Sequence, residues 1–127
     1  KYSANFSRIL AFSAALITYN LVTMPPGFND GIAPYSYYDK VFGPLDKLLG
    51  SDKDPEALIK KIKTAAAPIP TIYMACGEED FLLELNRKFH AFLESEKIDH
   101  IYQETPGAHD WAFINANIEN AIKWAVQ

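Results

Sequence analysis

A single cysteine, Cys76, in 127 residues excludes an internal disulfide framework, so nothing in the chain calls for an oxidising compartment. No apolar run approaches the ~18 residues of a membrane span, and no membrane partner is expected. The first residues, Lys1-Tyr2-Ser3-Ala4-Asn5-Phe6, lack the basic-then-apolar layout of a secretory leader and an initiating methionine. The expectation is a cytoplasmic chain that begins inside a longer protein. Basic charge is also scarce. Twelve Lys and Arg stand against sixteen Asp and Glu, for a net charge of −4, whereas a nucleic-acid-binding domain normally shows a basic footprint. The three histidines share no metal-ligand spacing such as H-x-x-x-H, which argues against a zinc site. No metal or organic cofactor is expected.

What is present is an ordinary globular composition, 49% hydrophobic and 22% charged, long enough for one small domain with a core. Residues 8–17 (RILAFSAALI) form a nearly continuous apolar run that suits a strand buried on both faces. Residues 18–44 carry four of the eight prolines, three of the six glycines and four of the seven tyrosines. This stretch reads as a long irregular excursion with a short helical turn near Tyr37 to Phe42, and its aromatic content speaks against disorder. Asp54-Pro55-Glu56 is a helix start, with a capping acid and a first-turn proline. Leu58, Ile59, Ile62, Ala65 and Ala66 then follow a helical period until Pro68 and Pro70 stop it. Thr71 to Cys76 reads as a second buried strand ending at Gly77. A helix follows from about Leu82 to Glu96, with Leu82, Leu85, Phe89, Phe92 and Leu93 as its apolar stripe. Ile98 to Glu104 reads as a third strand. Pro106 to His109 is a loop, and Asp110 caps a last helix with Trp111, Ile114, Ile118, Ala121, Ile122 and Ala125 on one face.

Strands alternating with helices predict the α/β class, here about three parallel strands with flanking helices and a lid-like excursion. Three strands make a poor free-standing domain, because the first would present a hydrophobic edge. Residues 1–127 are therefore expected to form a partial domain, with further strands preceding Lys1.

In open parallel sheets, ligands sit at the carboxyl ends of strands. Two loops lie there and carry ionisable side chains. One holds Glu78, Glu79 and Asp80, the other His109 and Asp110, and a single crossover of 29 residues separates Asp80 from His109. They should be neighbours on one sheet edge. An acid and a histidine so placed can work as the orienting and proton-transferring members of a serine triad, in the chain order acid then base.

The residues around them resemble a known family. Gly77-Glu78-Glu79-Asp80-Phe81-Leu82 is similar to a G-x-x-D-F-L segment, and Gly107-Ala108-His109-Asp110-Trp111 to a G-x-H-D-W segment. Both lie at the C-terminal end of the α/β-hydrolase esterase family that includes esterase D (an S-formylglutathione hydrolase) and bacterial tributyrin esterases. RILAFSAAL resembles the family strand that follows the nucleophile elbow, with Ala14 in place of a more usual glycine. VFGPLDKLLGSDKDPEALIKKI resembles the lid segment of the tributyrin esterase branch. The similarity runs from about Phe6 to Trp124. It implies the C-terminal half of an α/β-hydrolase fold, with Asp80 as triad acid and His109 as triad base of a carboxylic-ester hydrolase. The family's G-x-S-x-G elbow is absent, since Ser3, Ser7, Ser13, Ser36, Ser51 and Ser95 all lack the flanking glycines. The nucleophile and the oxyanion-hole donors are thus expected in an N-terminal half upstream, and this chain alone is expected to be inactive.

Plainer readings stand beside these. Asp80 could be a helix cap and His109 a surface histidine. Glu78 and Glu79 are expected to be solvated or to shape the turn. His90 should face solvent, His100 has no assigned role, and Cys76 should behave as a small hydrophobe. Asp110 and Trp111 read as helix cap and packing anchor. Phe28, Tyr35, Tyr37, Tyr38 and Phe42 either wall a substrate pocket or form a satellite cluster over the sheet end, and Ser13 could lie near the pocket floor. The expected partners are a small ester and the missing N-terminal half, with homo-oligomerisation left open. A non-catalytic binding or scaffold protein, or an acyltransferase on the same fold, are the alternatives, because fold alone does not decide function.

Overall fold

The computed structural model describes residues 5–127; Ser3 and the rest of the N-terminal tetrapeptide lie outside the described residues. Three strands, β1 (Arg8–Phe12), β2 (Thr71–Gly77) and β3 (His100–Thr105), form one parallel sheet in the order β1-β2-β3. Five α-helices accompany them among the described residues: α1 (Thr18–Val22), α2 (Tyr35–Phe42), α3 (Pro55–Thr64), α4 (Leu83–Ser95) and α5 (Trp111–Ala125). The alternation of strand and helix predicted this layout.

β2 is the central strand, and it is apolar throughout because both its faces are covered. Its residues sort by the two-residue period of a strand. Ile72 and Met74 pack with Ile59, Leu93 and Ile98 on the side of α3 and α4. Tyr73 and Ala75 pack with Phe113 and Ala121 of α5 on the other side. A third cluster of Leu21, Ala33, Tyr38, Leu45 and Leu48 gives residues 17–48 a core of their own.

The first apolar run does not behave as expected. β1 ends at Phe12 rather than continuing toward Ile17, and its residues are at best half-buried, with Ile9 43% exposed. Among the described residues the strand has a neighbour on one side only, and Ser13 stops it by turning to φ +47°. Beside this edge, Ile9, Ala11, Leu16, Leu58, Ile62 and Phe89 help to wall an open apolar cavity of about 410 Å3.

The excursion is more helical than its proline and glycine content suggested. Pro34 precedes α2 in extended conformation and Gly43 follows it at φ +79°. Ahead of α2, the Asp30 carboxylate accepts from the Ile32 and Ala33 amides and from the Tyr38 hydroxyl, each at 2.9 Å. Side chain-to-backbone bonds of this kind shape turns that composition alone does not reveal. α3 begins as its residues dictate, with the Asp54 carboxylate accepting from the Glu56 amide at 3.1 Å and Pro55 in the first turn.

The apolar stripe of α4 lies where expected, with Leu82 and Leu93 buried and Phe89 and Phe92 packed on the same core, and Leu83 and Asn86 are buried beside it. The face of α5 differs from expectation. In α5 the buried positions are Phe113 and Ala121, whereas Trp111 is 75% exposed and Ile122 50% exposed. Asp110 does cap α5, accepting from the Phe113 amide at 2.9 Å, but Trp111 is not a packing anchor. Trp124 takes that part at the other end, packing against Tyr73 at 5.5 Å and under the Arg8 guanidinium.

Candidate active site

The site grows from the last rung of the β2–β3 pair, where Gly77 is opposite Thr105. Beyond it the two loops remain tied: the Glu78 amide donates to the Thr105 carbonyl at 2.9 Å and the Glu79 amide to the Gly107 carbonyl at 3.0 Å. Glycine at 77 is required by this closeness. A Cβ there would lie 2.1 Å from the Gly107 oxygen. Gly107 takes φ +139°, open to glycine and strained for other residues.

This frame brings the two sequence-predicted residues together. His109 Nδ1 lies 3.0 Å from Asp80 Oδ2. The other carboxylate oxygen, Oδ1, accepts from the Leu82 amide at 2.8 Å. Asp80 thus shapes the turn into α4 with one oxygen and holds the imidazole with the other. Its side chain is fully buried, while that of His109 is 46% exposed. A neutral imidazole that donates from Nδ1 keeps Nε2 as its acceptor. Burial alone would push the Asp80 carboxyl upward, but the Ser13 hydroxyl, the Leu82 amide and His109 outweigh it and hold the group below its usual range.

Glu78 and Glu79 are exposed, as expected of turn residues. Phe81, 66% exposed, sets its ring 4.9 Å from the His109 imidazole. Cys76 is fully buried, and desolvation, with the Asp80 charge next, raises its thiol to about 11. It behaves as a small hydrophobe.

Of the aromatic pocket candidates, Phe28 and Tyr38 line a cavity of about 540 Å3 that also touches Phe81 and His109. Tyr37 and Phe42 do not line it. Tyr37 is 55% exposed and Phe42 packs on the Leu21 cluster. Ser13 is buried beside a smaller cavity shared with His109, Asp110 and Trp111.

Two readings of the sequence need correction here. His90 is not a free surface residue. Its Nδ1 lies 2.7 Å from His100 Nε2 and its ring stacks on Tyr102 at 4.5 Å, so His100 has a partner as well. Asn86, which no motif marks, is fully buried and hydrogen-bonds the Leu82 carbonyl and both backbone polar groups of Ala14. A signal for it existed. Asn86 falls on the line of Leu82, Phe89 and Leu93, at the spacing of a buried helix stripe.

Among the described residues no group of three or more His, Cys, Asp or Glu side chains could hold a metal ion. Also among them, no helix is long and apolar enough to cross a membrane.

No protein-family model matches the chain. It is 48% identical over 124 residues to an acetyl esterase of Caldicellulosiruptor saccharolyticus, a match covering 98% of this chain and 47% of that protein. Among solved structures it is similar to the S-formylglutathione hydrolase FrmB of Staphylococcus aureus, at a TM-score of 0.77 and 28% identity, over 96% of this chain and 45% of that one. It is similar to the serine hydrolase FphF of the same organism at a TM-score of 0.78 and 28% identity, with the same coverage. A ferulic acid esterase at a TM-score of 0.58 and 18% identity, over 98% of this chain and 42% of that one, shares the fold. The chain spans about half the length of the relatives it matches. It is a homologue of that acetyl esterase, and its three parallel strands with flanking helices match the C-terminal part of an α/β-hydrolase fold.

Proposed function

We propose that this chain supplies the acid and base of a serine-type carboxylic-ester hydrolase acting on short-chain acyl esters of the tributyrin type. The observation that carries the reading is the 3.0 Å contact between His109 Nδ1 and a fully buried Asp80 carboxylate at adjacent strand ends. Asp80 fixes the tautomer in which Nε2 is a base and stabilises the imidazolium when it forms. The nucleophilic serine and the oxyanion donors come from an N-terminal part of the same fold. The edge of β1, which pairs with no strand among the described residues, and the apolar cavity beside it support that partner.

In the reaction, His109 Nε2 takes the serine hydroxyl proton as the oxygen attacks the ester carbonyl carbon. The tetrahedral intermediate collapses, and the leaving alkoxide departs with that proton as alcohol. A water molecule then gives its proton to Nε2 while its oxygen attacks the acyl-enzyme. The carboxylic acid leaves, and the proton returns to the serine. The 540 Å3 cavity beside His109 falls in the range of small-molecule pockets. Among the described residues its lining includes Phe28, Tyr38, Phe81 and the carboxylate of Asp30 and no Lys or Arg, which disfavours an anionic acyl or alcohol group.

The test joins this chain to the N-terminal portion of the C. saccharolyticus acetyl esterase and follows p-nitrophenyl acetate hydrolysis. The chain alone should match a His109→Ala control, and the joined protein should turn over in a His109-dependent manner. A folded chimera whose turnover is indifferent to His109→Ala would refute the assignment. Turnover by the chain alone would place the nucleophile within it.

A further inference from the structure

One charged side chain in the wall of the 540 Å3 cavity has no part in the Asp80–His109 pair. Asp30 is the only Asp, Glu, Lys or Arg that lines this cavity among the described residues. It sits in the turn between α1 and α2, which the backbone itself closes. The Phe28 carbonyl accepts from the Tyr35 amide at 2.8 Å, and the Asp30 amide donates to the Ala33 carbonyl at 3.4 Å. Asn29 Oδ1 adds a bond from the Gly31 amide at 2.9 Å. The turn thus carries Asp30 at a set place beside the cavity that His109 shares.

The hydrogen bonds of Asp30 use most of its accepting capacity but none of its charge. A carboxylate offers about four lone-pair sites. Oδ1 uses two, on the Ile32 and Ala33 amides, and Oδ2 uses one, on the Tyr38 hydroxyl. All three donors are neutral. They favour the ionised form, the Ala33 amide most, and hold the group below its ordinary range. No Lys, Arg or His forms a salt bridge with it among the described residues. Asp30 is exposed, so an incoming group reaches its free site on Oδ2 without opening the fold.

The neighbouring wall suits a cation. Phe28 and Phe81 line the same cavity and are 49% and 66% exposed. Aromatic faces attract ammonium groups through the ring quadrupole, and no Lys or Arg in the lining repels one. An anionic group meets the opposite balance, a carboxylate with its charge unpaired and no cation to receive it.

We propose that Asp30 is a specificity-determining residue that draws esters bearing an ammonium group into the cavity beside His109 and turns anionic esters away. This rests on reading His109 as the base of an ester hydrolase. Asp30 acts on substrate binding and takes no part in proton transfer.

The test uses the chain joined to the N-terminal portion of the C. saccharolyticus acetyl esterase. Three phenyl acetates are compared, with a para carboxylate, carboxamide or trimethylammonium group. Each ester is compared with itself across variants, so its intrinsic reactivity cancels. Asp30→Asn keeps an oxygen for the two turn amides and removes the charge. Asp30→Ser, whose hydroxyl can serve the same turn, repeats the comparison should the first variant not fold. Either should raise kcat/KM about tenfold for the carboxylate ester and lower it about tenfold for the trimethylammonium ester, both through KM. The carboxamide ester should fall between. Tyr38→Phe keeps the charge and should keep the shift between cationic and anionic esters small. In the wild type, added salt should raise KM for the trimethylammonium ester. If loss of the Asp30 charge moves all three esters together, or that KM is indifferent to salt, Asp30 only shapes its turn and the role is overturned. If no ester is hydrolysed in a His109-dependent manner, the reading of the site itself falls.

Discussion

Replacing Gly77 with alanine tests whether the two site loops owe their geometry to backbone contact. The added Cβ would lie 2.1 Å from the Gly107 carbonyl oxygen and 2.7 Å from its carbonyl carbon. The oxygen contact is more than 1 Å inside the 3.4 Å at which ordinary van der Waals contact begins. The obstructing atoms are main chain, so no side-chain rotation relieves the clash. They are also fixed by the Glu78–Thr105 and Glu79–Gly107 hydrogen bonds on either side. Gly77 lies in β2 and does not use the left-handed region. Alanine there costs nothing in φ, and by narrowing the unfolded ensemble it would favour folding by about 0.4–1 kcal/mol. The steric term must overcome that gain. Overpacking a well-filled site costs typically 1–3 kcal/mol, and a backbone–backbone clash belongs at or above the upper end, about 3 kcal/mol. For a domain of this size such a loss lowers Tm by roughly 10 °C. The relief available is separation of the loops, which draws His109 away from Asp80. In an active form of the enzyme a 1 Å misplacement costs about 100-fold in rate. Differential scanning calorimetry and the histidine 15N spectrum read the two effects on one sample. A Gly77→Ala protein with unchanged Tm and an unchanged Nδ1–H tautomer would refute the claim that this contact sets the pair.

Leu93 is fully buried in the α3–α4 core, so Leu93→Ala should cost about 2–5 kcal/mol by chemical denaturation without altering the His109 tautomer. Cys76, with no exposure and a thiol raised to about 11, should resist a thiol reagent such as Ellman's in the folded chain and react at once in urea. Rapid reaction under native conditions would mean the end of β2 opens. Asp80 is held below its ordinary value in the fold, despite burial, by Ser13, the Leu82 amide and His109. A carboxyl depressed in this way contributes stability above its unfolded pKa of about 3.9, and loses it as pH falls through the folded value. The urea midpoint should therefore fall more steeply below about pH 4 in the wild type than in Asp80→Asn, and parallel curves would remove Asp80 from the acid-labile groups.

Local pattern was enough to read the strands and helices that frame the site. Thr71 to Gly77 is unmistakable because a central parallel strand must be apolar on both faces, and Asp54-Pro55-Glu56 and Asp110 announce helix starts through caps that need no tertiary information. Patterns fail where burial depends on distant partners. Residues 8–17 are apolar enough for a central strand, but with only β2 beside them among the described residues they form a short, half-covered edge. The apolar face of α5 is displaced from the expected stripe because Asn117, which bonds Thr105 and the Phe113 carbonyl, lies in the row that meets the sheet. A polar residue in that row hides the face from an apolar pattern. His90 and His100, ten positions apart, are joined by the packing of α4 beside β3, which neither segment encodes alone.

The same distinction separates the two layers of the candidate site. Asp80 and His109 are legible because one crossover between neighbouring strands returns the chain to the same sheet edge. Their relation follows from topology and needs no knowledge of side-chain packing. Beneath them, Asn86 and Ala14 meet across 72 residues of sequence, and their contact depends on how α4 settles against the end of β1. No spacing rule brings Ser13 beside a cavity shared with His109. What the sequence did offer was a polar residue on an apolar helix line and a serine where a strand breaks off, and each looks incidental until the other is placed beside it. The charged pair is thus fixed twice. Topology brings acid and base to one edge, and Asn86 ties the turn after β1 to Leu82, the residue whose amide binds Asp80. A substitution in the second layer should disturb the tautomer of His109 while leaving the sheet, and the position of the loops above it, intact.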